Sequence, residues 1–395
     1  MSETISRRSF LGTGVAATAS ALPVIGTSGC GLGQPPPPPS SWVVPDRPAE
    51  PVPLAALRCG ALAPNAHNTQ PWLLQARADG AFDLFVDSKR LLPFTDPWYR
   101  QTHVSQGTFL ELASIAALQW GHDLSVEYFP EGSYGLQTLR DAPVARLRFA
   151  ERPEAPTSRL FSEIIKRQCN KRSYDPVVID GATQRLLEST GVPFGVRVQV
   201  MTESAKRDRL ADVASEAMRV EMKDQQRAAE TVKWFRFSEP ELREKADGFG
   251  LGQNGVSGVK RWIAESFFLD RRGADKWDSS FVEGAIEGAR EQAQSASAFI
   301  VMSTRGGTRT DELLAGRAFA RLALTVSKVG LALHPMSQAA EEFKDMAPVL
   351  ADLKSAAGLN TDETVQMFLR IGKASPVLHT PRRKLEQMLR KAEHT

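Results

Sequence analysis

From Trp72 onward, short runs of alternating apolar and polar positions are separated by stretches with helical spacing. Residues 72–77, 81–86, 124–129 and 144–149 change face residue by residue, which is the period of a β-strand. Residues 100–120 repeat differently. Val104, Phe109, Leu112, Ala113, Ala116 and Trp120 recur at helical spacing, and Leu110, Ile115 and Leu118 fill the opposite side. A helix apolar nearly all round belongs inside a protein. The second half repeats the scheme, with strand-like runs at 196–201, 298–302, 330–333 and 367–372. Its buried helix is predicted over 316–329, where Phe319, Leu322, Ala323 and Val326 share a stripe. Each central helix runs into a glycine-bearing turn, at Gly121 and Gly330. One pattern written twice predicts an α+β fold of two related lobes, a pseudo-dimer whose two central helices pack together.

Between about 204 and 296 the second half carries a long, charged insertion. Ser204 is a candidate N-cap there, and Leu210, Val213, Ala217 and Val220 form an amphipathic stripe. Gly250-Leu251-Gly252-Gln253-Asn254-Gly255 inside it matches G-x-G-x-x-G. The preceding charged, helical segment supplies no strand to feed a dinucleotide-binding turn, so the segment reads as a lid loop instead.

The first residues read as targeting rather than fold. Ser6-Arg7-Arg8-Ser9-Phe10-Leu11 ahead of the weakly apolar run 12–29 resembles a twin-arginine export signal. Its glycines, alanines and threonines and Pro23 argue against a membrane-spanning helix. Thr27-Ser28-Gly29-Cys30 resembles a lipoprotein cleavage box with threonine where leucine is usual, which implies a membrane tether through lipid on Cys30. Pro35 to Pro39 are consecutive prolines and open a stiff spacer. The expected division is a signal over 1–34, a proline-rich linker over 35–53, and lobes over 54–165 and 166–395. The chain would be a monomer in the periplasm or cell envelope.

Composition narrows the function classes. The net charge of +3 comes with no basic stripe and interleaved aromatics, so nucleic acid is not the expected partner. Six histidines show no metal-gathering spacing, and Cys59 and Cys169, far apart in sequence, are read as free thiols.

Two polar segments carry the candidate chemistry. Ala63-Pro64-Asn65-Ala66-His67-Asn68-Thr69-Gln70-Pro71-Trp72 is a loop rich in side-chain amides, pinned to a strand by its tryptophan. Arg167-Gln168-Cys169-Asn170-Lys171 places Arg167, Cys169 and Lys171 two apart, so an extended segment points all three to one side, where they could line a phosphate and an attached polyol. On residue chemistry alone, an Asx-rich turn with a packed tryptophan and a solvated basic loop are the favoured readings of the two segments.

Both segments also resemble signatures of the nitroreductase superfamily. The first is similar to its "A-P-S-x-x-N-x-Q-P-W" loop, which lies against bound FMN, and the second to its "R-[RH]-[ST]-x-[RK]-x-[FY]" signature. The resemblance implies a nitroreductase-like fold and an FMN site. Pro64, Asn65, Ala66, Asn68 and Gln70 would lie against the flavin, and Arg167 would take its phosphate. Cys169 stands where the ribityl-contacting hydroxyl is usual, and Lys171 would reach the pyrimidine edge. Met336, Ser337 and Gln338 would lie near N5, and Arg382 and Arg383 would complete the phosphate site. The loop occurs only in the first half and the cation signature only in the second, so one chain should make one site at its internal interface. That arrangement looks like the fused, lidded Acg-like branch. The expected activity is two-electron flavin chemistry on a small molecule, by an exported oxidoreductase whose electron donor is open. The alternatives are a flavin-sequestering protein without turnover and a flavin-dependent oxidase or desaturase.

Overall fold

The computed structural model describes residues 39–152, 154, 157–256 and 279–390. The export signal, Cys30 and residues 35–38 of the proline run lie outside the described residues. Two four-stranded antiparallel sheets form the body. In the first, β1 (Trp72–Ala76), β2 (Phe82–Val86), β3 (His122–Tyr128) and β4 (Ala145–Glu151) lie in the order β1-β2-β4-β3. In the second, β5 (Arg197–Met201), β6 (Ala298–Arg305), β7 (Ala332–Pro335) and β8 (Glu363–Gly372) lie in the order β5-β6-β8-β7. The two orders are the same pattern, the second offset by four strands. The predicted strands all form.

The helices are α1 (Val52–Gly60), α2 (Arg100–Gln119), α3 (Gly181–Glu188), α4 (Ser204–Lys223), α5 (Gln225–Trp234), α6 (Glu239–Lys245), α7 (Ser279–Gln294), α8 (Arg309–Lys328) and α9 (Ala347–Ala357). The buried helices of the two halves are α2 and α8, each following the second strand of its sheet. They cross at a pair of glycines. A methyl group on Gly107 would stand 2.0 Å from the Leu313 carbonyl oxygen, and one on Gly316 2.0 Å from that of Val104, so the backbones themselves touch. Glu111 of α2 is fully buried and takes Arg317 Nε at 2.8 Å and Arg321 Nε at 2.5 Å from α8. A buried carboxylate held by two guanidiniums from the facing helix fixes the register of the pair.

Two helix starts differ from the pattern-based reading. α8 begins at Arg309, not Gly316, because Thr308 and Asp311 form a reciprocal capping box that satisfies the first backbone N–H groups. Ser204 is the first helical residue of α4 rather than its cap. Glu203 occupies the cap position and makes no side-chain capping bond.

Two connections position the site. The insertion α4 to α7 lies between β5 and β6. The segment after β8 returns to the first half, where Leu389 bridges Leu74 and Arg390 N–H donates to the Leu74 carbonyl at 2.8 Å. That return lays residues 377–385 beside the loop that precedes β1. Among the described residues no helix is long and apolar enough to cross a membrane, and no cluster of three or more metal-ligating side chains occurs.

Candidate functional site

The loop before β1 is held in an unusual backbone shape. His67, Asn68 and Gln70 have φ of 50°, 53° and 52°, in the left-handed region that disfavours side chains. Hydrogen bonds lock it there: Gln70 N–H donates to Asn65 Oδ1 at 2.8 Å, and the Pro64 carbonyl takes Thr108 Oγ1 of α2 at 2.7 Å. The Ala66 carbonyl takes both the N–H and the hydroxyl of Thr69 at 3.0 Å. Trp72 is fully buried at the loop's exit and donates from Nε1 to the Ser105 carbonyl at 3.0 Å. Strain maintained by surrounding packing is a mark of a functional loop.

The C-terminal return meets this loop through two arginines. Arg382 Nη1 donates to Asn68 Oδ1 at 2.7 Å and bonds Thr380 Oγ1, and its Nη2 lies 3.3 Å from the Ala63 carbonyl and 3.4 Å from that of Leu62. Arg383 Nη2 donates to the Gln70 carbonyl at 2.5 Å, and its backbone N–H to Gln70 Oε1 at 2.8 Å. Asp87 lies 3.5 Å from the Arg383 guanidinium.

Arg167 arrives from the second half and donates from Nη2 to the same Leu62 carbonyl at 3.0 Å. Beyond it the chain is extended: Cys169 bridges Leu333 of β7, and Asn170 N–H donates to the Leu333 carbonyl at 2.8 Å. Cys169 is half-buried with its thiol beside Arg167. Lys171 lies farther along, its Nζ 4.8 Å from the centre of the Phe249 ring.

The electrostatics of this cluster are incomplete. Arg167 and Arg382 are both buried, and the Nε of each has no hydrogen-bond partner. Among the described residues no carboxylate lies within ion-pair distance of either. Burial, then the nearby Arg167 charge, pushes Arg382 down to about 9, and burial lowers Arg167 as well. A guanidinium keeps its proton under such pressure, so two unbalanced cations remain where water is scarce. An anion with several acceptor oxygens is the group that balances them.

A second set of polar groups lies around Lys171. Burial lowers the lysine and pushes Glu221, at the end of α4, up to about 7, while Gln338 hydrogen-bonds the Glu221 carboxyl and Lys171 stabilises its charge. Ser337 and Gln338 belong to a 3-10 turn after β7, and Met336 N–H ahead of it donates to the Phe368 carbonyl at 2.8 Å. The structure therefore gathers the predicted residues into two neighbouring groups: Arg167, Arg382, Arg383, Asn68 and Gln70 in one, Lys171 and Gln338 in the other.

The insertion covers the loop. Asn68 Nδ2 donates to the Gly248 carbonyl at 2.9 Å and to that of Pro381 at 3.1 Å, and Gln70 Nε2 donates to the Ala246 carbonyl at 2.8 Å. Gly248 has φ of +68°, and a methyl group there would stand 2.2 Å from the Trp234 carbonyl oxygen, so only glycine lets the insertion approach this closely. His67 rests against Thr231 at 3.3 Å and against Phe249, its ring pushed down to about 3 by burial and then by Lys171. The Gly250–Gly255 stretch sits in turns and follows an isolated bridge at Phe249, not a strand of either sheet.

Two site residues escaped the sequence reading. His379 packs against Trp42 at a tilt of 55°, with 4.3 Å between ring centres, and its Nε2 is buried without a partner. Burial, then Arg167 and Arg382, pushes its ring down to about 4, so it is neutral at pH 7. Trp42 lies over both arginines although it falls in the proline-rich segment. Neither carries a motif, and contacts spanning more than 300 residues leave no local signal.

No family model matches the chain. It is 25% identical over 334 residues to a Mycobacterium tuberculosis protein named "Putative NAD(P)H nitroreductase", a match covering 83% of this chain and 88% of that one. A "Probable NAD(P)H nitroreductase" of a Serratia species is 24% identical over 351 residues, covering 86% and 93% respectively. With the architecture above, these matches define a nitroreductase-like α+β protein. Over most of its length the chain is thus similar to proteins named as nitroreductases. Among solved structures, an FMN-dependent nitroreductase from Mycobacterium smegmatis in complex with NADPH overlaps 58% of this chain and 96% of its own length, at 15% identity and a TM-score of 0.36.

Proposed function

We propose that this chain is an FMN-dependent oxidoreductase acting on a small molecule, with one flavin site where its two halves meet. The observation that carries the reading is the pair of buried guanidiniums, Arg167 and Arg382, left with free Nε groups and, among the described residues, no carboxylate. A flavin phosphate is a multi-oxygen anion and fits them. Arg167 and Arg382 would hold the phosphate, with Arg383 fixing the strained loop from behind. Asn68, Gln70 and Lys171 would orient the ring, and the backbone around Met336, Ser337 and Gln338 would face its reactive edge. FMN bound there supplies two-electron transfer, and the protein supplies position and electrostatics. Glu221, held near neutral pH beside Lys171 and Gln338, can hold or release a proton at its carboxyl within that neighbourhood. The names of the relatives support NAD(P)H as donor.

The amino-terminal sequence supports export by the twin-arginine route, with Cys30 as a lipid attachment point, and the repeated strand order supports a fused, Acg-like tandem acting as a monomer. A second reading, flavin sequestration without turnover, is favoured by one feature. Phe249 lies against Lys171, and the Gly248 carbonyl engages Asn68, so the insertion closes directly on the loop.

The test is the visible spectrum of the FMN-loaded protein under anaerobic conditions, before and after NADPH. Bleaching, with recovery on addition of a nitroaromatic or quinone acceptor, is expected of the oxidoreductase. A flavin that stays oxidised with NADPH and with dithionite-mediated dye couples, while remaining bound, would assign the chain to sequestration.

A further inference from the structure

The segment behind the proline run is folded against the candidate anion site. Ser40–Trp42 forms one 3-10 turn, closed by Trp42 N–H donating to the Pro39 carbonyl at 2.8 Å. Trp42 is only 3% exposed. Its indole Nε1 donates to the Thr380 carbonyl at 2.8 Å, and Ser41 Oγ accepts from Arg382 N–H at 3.3 Å. The Arg382 guanidinium carbon lies 5.1 Å from the Trp42 ring centre and that of Arg167 5.7 Å. His379 packs on the same indole, oriented by Gln168, whose Nε2 lies 3.3 Å from His379 Nδ1 and donates to the Val377 carbonyl at 2.6 Å. Three buried nitrogens thus lack partners around one indole: Arg167 Nε, Arg382 Nε and His379 Nε2.

We propose that Trp42, held by Ser40–Trp42 and paired with His379, is the outer wall of the phosphate site, so that retention of FMN depends on the segment joining the proline run to the body. The inference rests on the FMN reading above. The electron-rich indole face offsets part of the repulsion between two desolvated guanidiniums and keeps water from competing for the anion. His379 adds a neutral N–H donor when its proton sits on Nε2. The linker is then a functional part of the site as well as a spacer.

Dissociation constants for FMN and for riboflavin, which lacks the phosphate, measured by flavin fluorescence on the full chain, test this. Trp42→Ala should weaken FMN binding about tenfold and leave riboflavin binding within about twofold, because loss of a desolvated cation–π contact acts at the phosphate end. Trp42→Phe, which keeps a ring face, should recover most of the difference. Should circular dichroism find Trp42→Ala unfolded, Trp42→Leu carries the same expectation with its bulk retained. Unchanged FMN affinity would overturn the proposal, and so would equal weakening of FMN and riboflavin, which is the signature of a merely structural tryptophan. A wild-type chain that binds neither flavin would overturn the cofactor reading itself, and this proposal with it.

Discussion

At the scale of single residues, the site is built from groups that the fold alone does not satisfy. Arg167 and Arg382 reach the same carbonyl of Leu62 from opposite ends of the second half, and neither finds a carboxylate among the described residues. In an apo protein such a pair costs stability, because each desolvated charge lacks an opposite charge to offset its burial. Arg167→Leu is therefore expected to raise the unfolding free energy of the apo protein by about 1–3 kcal/mol while abolishing FMN retention. Urea denaturation paired with flavin binding reads both. A variant that loses stability and keeps its flavin would place the anion elsewhere. The arginine that fits the structural role better is Arg383, with Asp87 at 3.5 Å and two backbone carbonyls within 3.2 Å.

At the scale of elements, the two halves are joined through α2 and α8, and the closeness of that crossing decides whether the site can form. Glycine inside a helix normally weakens it, and Gly→Ala in an exposed helix gains about 1 kcal/mol. Gly107→Ala should do the opposite here, because its new methyl would meet the Leu313 carbonyl oxygen at 2.0 Å and force the helices apart. A loss of about 2–4 kcal/mol is expected in chemical denaturation, in line with overpacking against an immovable backbone. A stabilised Gly107→Ala would mean the helices are not in contact at that point. Both helices were legible in the chain, since Val104, Phe109, Leu112 and Phe319, Leu322, Val326 recur at helical spacing. Their contact point was not, because a glycine contributes nothing to an apolar pattern. The true start of α8 was missed for a related reason: Thr308 and Asp311 cap the helix with polar groups that lie outside its apolar stripe.

At the scale of the whole molecule, the strand order β1-β2-β4-β3 recurs as β5-β6-β8-β7, but the two copies have divided the work. The first contributes the strained loop at Asn65 to Gln70, and the second contributes Arg167, Lys171 and the return segment with Arg382. Sequence periodicity carried the repetition and resemblance to a known family carried the two motifs, because both reside in contiguous residues. What converges on the motifs from far along the chain was hidden. Gly248 reaches Asn68 across 180 residues, and Trp42 reaches Thr380 across 338. Only the folded chain brings such pairs together. Division of labour between unlike halves has a direct consequence for stoichiometry under the proposed function, since a homodimer of equal halves would make two flavin sites and this chain would assemble one. Native mass spectrometry of the FMN-reconstituted protein measures this in one experiment. A monomeric chain carrying one FMN is expected, with the flavin lost from Arg382→Ala. Two flavins per chain, or none after reconstitution of a folded protein, would contradict it.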